Sequence, residues 1–388
     1  MPSINLPKQG VVFWPIGTGD STTICIDENT IVQLDLRHLT KSETKEDPHI
    51  PLIEELVNIL PKKNKKPFLS VFILTHPDQD HCQGFKALMK EINIGELWFT
   101  PRIFNEYKKD LCDDAVAFRD EAKRRVKEMI KQKGEAEENN RVRIIGYDDL
   151  LKEDDYKDFP VAYLSVPGNE ITSLNHNEFK DVFRAFVHSP FKEDSDGDRN
   201  ETSLGLHLTL KSPKKELKSL LLGDLHYEII TKIFDRTKNK KDNLHWNVFL
   251  APHHCSKSVM YFKSEDDKEE TLKQDILDKI KENADDYGYI ISSSEPIPQK
   301  NKDGDNPPHV LAKDRYEEIV PKDFICTMEY PNEKTPRPII FSLDDNGINI
   351  NDEDKSEKSR ETLSASIISA RGKNEPPSTR TGFGFNNE

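Results

Sequence analysis

Cysteine is scarce in this chain, and the few present are badly spaced for any covalent framework. The five thiols (Cys25, Cys82, Cys112, Cys255 and Cys326) form an odd set with no C-x-x-C pair. That argues against a disulfide scaffold and a thiolate zinc knuckle, and it fits a reducing compartment. Long apolar runs are missing too: no stretch approaches the roughly 18 residues that a membrane span needs. The first residues, MPSINLPKQG, lack the charged and then apolar pattern of a secretory leader. The expectation is a soluble, cytoplasmic protein without a membrane partner. Positive charge is in deficit, with a formal net charge of -14 and a pI near 5.4. Such a surface does not attract polyanions as a whole, so any nucleic-acid binding must rest on local patches or on metal. The basic stretches at 61–66 (PKKNKK), 123–133 (KRRVKEMIKQK) and 238–241 (KNKK) are candidates, but each is flanked by acids and reads first as a solvated helix face or loop tip. No internal repeat is present.

The 388 residues suffice for a large core. Apolar, β-branched runs at 11–16, 22–26 and 30–36 predict an opening meander, followed by a helix at 51–60, a strand at 68–74 and a helix at 83–92. Residues 101–140 read as a polar helical insertion laid on the outside, and 262–283 as a second charge-rich helical stretch. The tail at 351–388, rich in Ser, Glu, Lys, Gly and Pro, has little to bury and is expected to be disordered. Residues 194–205 imitate a calcium loop, but Gly197 is fourth and Gly205 twelfth, where an EF-hand needs Gly sixth and Glu twelfth. A polar loop is the simpler reading.

The chemistry concentrates in ILTHPDQDHCQGF (73–85), where His76, Asp78, Asp80 and His81 occupy six positions just after an apolar run. Packing gives no reason for alternating imidazoles and carboxylates at a strand exit, whereas a divalent ion does. Other strand-like runs end in similar residues: Asp224 after LLLG, His253 and His254 after WNVFLAP, His188 in FRAFVHSP, and His309 in the loop after YGYIISSSEP. Each alone is weak. An Asp after Gly often serves a turn, a His beside two prolines often decorates a loop, and adjacent histidines are often one buried and one exposed ring. Together they suggest a pocket at the carboxyl edge of a sheet.

Taken in order, THPDQDHCQGF, the IGTGDS segment (16–21), N-x-x-S (Asn200 to Ser203), LLLGD, PHHCSKS and the His-bearing loop resemble the metallo-β-lactamase fold. They are similar to the metallo-β-lactamase domain of ComEC-type competence proteins, over roughly residues 10–350 and without the membrane channel. The resemblance implies an α/β, four-layer αβ/βα sandwich with helical insertions over 1–350 and two divalent ions, zinc or manganese with magnesium as a further candidate, between the sheets. It places His76 and Asp78 on the first ion, Asp80 and His81 on the second, Asp224 as the bridge and His309 as the last ligand. Asp80, His253, His254 and Lys257 would act catalytically, Asp80 by orienting the attacking water and the others by facing the scissile phosphate. Asp78 stands where relatives carry His, and Asn200 where many place another, which hardens the first site toward manganese or loosely held zinc. His188 is a candidate to fill that place, or else a satisfied core histidine. Cys255 stands where the family has Gly. The implied activity is phosphodiester hydrolysis, with DNA favoured as substrate and RNA or a nucleotide open. A regulatory protein partner and a role as an anti-phage effector are further expectations. The rivals are a hydrolase of small thioesters, lactones or cyclic nucleotides, and a catalytically silent interaction scaffold.

Overall fold

The central strands are apolar at nearly every position because both of their faces are covered. This computed structural model describes residues 4–44, 46–105, 110–195, 198–264, 267–302, 304–320 and 323–351. Beyond Asn351, the expected tail lies outside the described residues. The first sheet contains β1 (Gly10–Phe13), β2 (Thr22–Cys25), β3 (Ile31–Leu34), β4 (Lys66–Leu74), β5 (Asn93–Phe99) and β6 (Arg141–Ile145). The second contains β7 (Phe183–Ser189), β8 (Gly205–Lys211), β9 (Glu216–Leu221), β10 (Trp246–Leu250), β11 (Ala284–Ser292) and β12 (Phe324–Cys326). The chain then returns to the first sheet as β13 (Ile339–Asp344) and β14 (Gly347–Ile350). The strand order is β14-β13-β1-β2-β3-β4-β5-β6 in one sheet and β12-β11-β10-β9-β8-β7 in the other, with two-residue strands extending the edges.

Alternation along the strands sorts side chains into layers. Val71 and Ile73 of β4 meet Val248 and Leu250 of β10 and Ile291 of β11 in a core between the sheets. Their neighbours Phe72 and Leu74 face outward into a cluster with α1 (Leu52–Ile59), α2 (Phe85–Glu91) and α3 (Asp113–Lys131). Phe249 and Ile290 face the opposite way, against α4 (Tyr227–Thr237), α5 (Gln274–Glu282) and α6 (Val310–Ile319). Helices, sheet, sheet and helices make a four-layer αβ/βα sandwich. α3, inside the expected 101–140 insertion, joins the parallel neighbours β5 and β6, so it is the crossover of a β-α-β unit. It buries Ala115, Phe118, Ala122, Val126 and Met129 in the outer core.

The helix expected over 262–283 is shorter. Among the described residues of that stretch only Gln274–Glu282 is helical, and Tyr261–Phe262 pairs with Thr271–Leu272 ahead of it. Ile276, Leu277 and Ile280 give the helix its buried face, whereas the acidic sequence before them offers no apolar residue to dock.

β3, β4, β5 and β6 run parallel, as do β9, β10, β11 and β12. The carboxyl ends of β3 and β4 meet those of β9 and β10 across the inter-sheet core, and the connections there are stitched together. Leu204 N donates to the Thr75 carbonyl at 3.1 Å, and the Ser293 hydroxyl donates to the Gly19 carbonyl at 2.5 Å. Gly19 is required at this seam: at φ 149° a Cβ would fall 2.6 Å from the Asp80 carbonyl oxygen.

Candidate metal centre

The site starts from a buried carboxylate that closes β3. Asp35 sits at φ 54°, a left-handed conformation costly for a side-chain-bearing residue. The conformation aims its carboxylate at the exit of β4. There it accepts the Thr75 amide at 2.8 Å, the Thr75 hydroxyl at 2.6 Å and His81 Nδ1–H at 2.7 Å. Because the Thr75 hydroxyl donates to Asp35, its free lone pairs face His76 Nδ1, 3.1 Å away. Nδ1 of both rings is thereby committed to this network, which leaves each Nε2 to take a proton or a metal ion. A metal requires the tautomer with the proton on Nδ1, and such outer carboxylates normally enforce it.

Those Nε2 atoms face one acid from the opposite sheet. Asp224 follows β9 through Gly223 and is buried. His81 Nε2 lies 3.1 Å from Asp224 Oδ1, and His76 Nε2 lies 3.7 Å from Asp224 Oδ2. The exit of β10 delivers two more imidazoles through a strained turn, in which His253, His254 and Cys255 have φ of 50°, 54° and 66°. Three successive left-handed residues with side chains persist only where the surroundings impose them. At Cys255 the backbone takes a conformation that glycine adopts at least cost. His254 Nε2 lies 3.4 Å from Asp224 Oδ1, 3.3 Å from Asp80 Oδ2 and 3.2 Å from His81 Nε2. Its Nδ1 faces buried Asp20 at 3.3 Å, as His81 is backed by Asp35. His253 Nε2 lies 3.8 Å from Asp224 Oδ2.

Asp224 therefore has an oxygen toward each of two groups. Oδ1 faces His81 and His254, with Asp80 beside them; Oδ2 faces His76 and His253, with Asp78 Oδ2 3.7 Å from His76 Nε2. Asp20, His81, Asp224 and His254 each offer a ligand atom within 4.8 Å of the others. The fit to cations shows in the polar atom this geometry strands. His76 Nε2 is buried without a hydrogen-bond partner, although burying such an atom unpaired costs a few kcal/mol. An all-nitrogen-and-oxygen donor set of this size suits zinc or manganese.

The titration of the group has the same sense. Burial would raise the Asp224 carboxyl, yet His254, His81 and His76 hold it well below the usual carboxylate range. Burial disfavours charge on His81 and His254, but Asp224, with Asp35 for the first ring and Asp20 and Asp80 for the second, draws both far above the usual imidazole range. Burial and the neighbouring His81 push His76 down to about 3 and leave it neutral. Burial lifts the Asp35 carboxyl to about 6 against the pull of His81. This pocket demands positive charge at its centre, supplied by protons or by metal ions.

Of the residues singled out in the sequence, His76, Asp78, Asp80, His81, Asp224, His253 and His254 come together. His309 does not join them. Its Nδ1 accepts the Lys257 amide at 3.2 Å, and its Nε2–H points at the Asp305 carbonyl at 3.0 Å, so both ring nitrogens are committed to backbone. His254 occupies the place beside His81 and Asp80 that His309 was expected to take. Lys257 Nζ pairs with Glu270 at 2.6 Å rather than with the cluster. His188 is a satisfied core residue, with Nε2 at 3.0 Å from the Asn243 carbonyl. Asn200 keeps a buried oxygen without a partner, while its amide nitrogen lies 3.5 Å from His226 Nε2.

Sequence reasoning missed Asp35, Arg37, Arg199 and His226, and it gave no role to Asp20 of the IGTGDS segment. Asp35 closes β3 as His76 closes β4, the same strand-exit signal carried by a lone acid. Arg199 holds Asp78 at 3.0 Å, and the His226 ring stacks on His253 with centroids 5.1 Å apart. Arg37 crosses Gly19 beside Asp80, and its Nε and Nη1 are buried without partners.

No protein-family model matches the chain, and no curated protein matches it. Among solved structures it is similar to a class B3 di-zinc metallo-beta-lactamase from an Alaskan soil metagenome, at 10% identity and a TM-score of 0.29, over 63% of this chain and 76% of that one. A metallo-beta-lactamase from Elizabethkingia meningoseptica aligns at 11% identity and a TM-score of 0.32, over 83% and 92% of the two chains. A metallo-beta-lactamase bound to 2-mercaptoethanesulfonate aligns at 8% identity and a TM-score of 0.26, over 63% and 78%.

Proposed function

We propose that the protein is a metal-dependent hydrolase of phosphodiesters, with DNA as the favoured substrate. The observation that carries this reading is Asp224, one buried carboxylate whose two oxygens face two separate sets of imidazoles and acids. That is the ligand plan of a two-ion site. His76, Asp78, His253 and Asp224 would hold one ion, and Asp80, His81, His254 and Asp224 the other. Two divalent ions bound there supply a water of lowered pKa and positive charge for a phosphoryl group.

The chain's own groups would do the rest. Asp35 and Asp20 keep His81 and His254 turned inward, so ligand geometry does not have to be assembled on binding. Arg199 holds Asp78 and limits how far that carboxylate can swing. Arg37 carries its half-buried guanidinium beside Asp80. That fixed cation would add to the attraction for a phosphate group at the centre. In a chain of net charge -14, this local positive field is what would admit a polyanion.

The test incubates the purified protein with plasmid, linear duplex and single-stranded DNA, each with Mn²⁺, Mg²⁺ or Zn²⁺, beside an Asp80→Ala/His81→Ala control. Cleavage by the wild type and not by the control is expected with at least one cation. Identical behaviour of the two proteins under every cation rejects the proposal.

A further inference from the structure

Two of the five cysteines stand apart from the other three. Cys25, Cys255 and Cys326 are buried at 0%, 0% and 2% exposure, and burial pushes their thiols well above the usual thiol range. Cys82 and Cys112 instead have their sulfurs 3.6 Å apart, although 30 residues separate them in sequence. Cys82 directly follows His81 on the metal-bearing loop, is fully buried, and donates its thiol to the Asp78 carbonyl at 3.2 Å. Cys112 is the N-cap of the 19-residue α3, with the Ala115 amide donating to its sulfur at 3.4 Å, and it alone of the five is partly exposed.

Nothing about helix formation asks for cysteine here, since Ser, Thr, Asp and Asn are the better caps. The two loops are also clamped independently of the thiols. Asp114 accepts the Gly84 amide and the Lys86 amide, each at 2.9 Å, so the sulfurs are held face to face by backbone. A thiol that is solvent-accessible, sits on a helix N-terminus and lies beside a second thiol has the environment of an oxidisable site. The Cys82 thiol, ahead of the opposing effect of burial, and the amides of Ala115 and Asp114 draw the Cys112 thiol down to about 6.

We propose that Cys112 and Cys82 form a modification site for hydroperoxides, in which Cys112 is oxidised and Cys82 resolves it to a disulfide. The Cys112 thiolate attacks one peroxide oxygen. The O–O bond breaks, the departing hydroxide takes up a proton as water, and Cys112 becomes a sulfenic acid while the peroxide is reduced by two electrons. The Cys82 sulfur then attacks the Cys112 sulfur. The S–O bond breaks, the S–S bond forms, and the Cys82 proton leaves with the hydroxyl group as a second water. Closing the pair means drawing the sulfurs from 3.6 Å to about 2.05 Å. That movement pulls on the residue next to His81, so the site lies where oxidation reaches the metal loop.

The test treats the reduced full-length protein, without added metal, with hydrogen peroxide. It then alkylates the remaining thiols under denaturing conditions and maps the peptides by mass spectrometry. The expected result is the loss of two hydrogens and of two alkylatable thiols, a linked peptide pair carrying Cys82 and Cys112, and reversal by dithiothreitol. Cys112→Ser should retain all its remaining thiols under the same dose. Cys82→Ser should stop at a Cys112 sulfenic acid that dimedone traps. Survival of all five thiols in the wild type, a link between other cysteines, or progress of Cys112 to sulfinic acid with Cys82 still free would each overturn the proposal. The readout is independent of metal and of hydrolysis.

Discussion

The residues that act on the centre without touching its middle are the ones whose removal says most about it. Asp35 spends its carboxylate on Thr75 and His81 and so commits Nδ1 of both loop histidines. Asp35→Asn keeps the shape but weakens its hold on His81 Nδ1–H, so Mn²⁺ or Zn²⁺ affinity should fall by about 10- to 100-fold. Titration against a chelating dye measures this, with Asp27→Asn, which alters only a surface turn, as the unaffected reference. Equal affinities in all three proteins would remove Asp35 from the site. Asp224→Ala should be more severe, because it deletes oxygens that serve both sides; metal content by plasma mass spectrometry should fall toward zero. At this scale the H-x-D-x-D-H loop was legible because packing cannot explain its composition. Asp20 and Asp35 were not legible as ligand supports, since a single acid beside a strand is common and only the fold brings them against His254 and His81. His309 misled because its sequence context fits a metal ligand, whereas its ring is consumed by two backbone groups.

Among the elements, the strands were the most readable, since β4 and β10 advertise their two-sided burial as continuous apolar runs. α3 could be seen as a helix from its spaced Ala, Phe, Val and Ile, but its role as a crossover needed the parallel pairing of β5 with β6, which no local pattern encodes. Phe118 is the test of that role. It packs against Phe72, Phe85 and Phe99, so Phe118→Ala should cost about 3–5 kcal/mol in urea unfolding, whereas a helix lying loosely outside would lose well under 1 kcal/mol. In the second sheet, His188 on β7 is buried neutral. Burial, with His207 nearby, pushes it down to about 3. An unfolded chain takes up that proton near pH 6.5 and the folded one near 3, so stability is complete above about 6.5 and declines as the pH falls toward 3. His188→Gln keeps a donor for the Asn243 carbonyl and cannot titrate. Its unfolding free energy should fall less steeply than wild type between pH 6.5 and 4.5, by up to about one proton in the slope. Parallel curves would mean that His188 is already protonated in the fold.

For the molecule as a whole, the candidate centre lies on the seam between the two sheets. His76 and His81 belong to the first sheet's loops, and Asp224 and His254 to the second's. The two arginines of the basic stretch at 123–133 are already engaged within the fold. Arg124 pairs with Glu121 at 2.8 Å, and buried Arg125 donates to the Ile94 carbonyl at 3.1 Å. Ions at the seam would therefore have two effects, drawing in substrate and joining the sheets. The second is measurable without knowing the substrate. A cation that binds only the folded chain stabilises it by about 2.7 kcal/mol when present at 100 times its dissociation constant. The urea midpoint should thus rise with Mn²⁺ or Zn²⁺, fall with a chelator, and recover on remetallation. Asp224→Ala should be insensitive to both additions, which separates ions at this seam from ions bound loosely by an acidic surface. If wild type and variant gain equally from metal, the stabilising ions lie elsewhere, and the two sheets meet here without them.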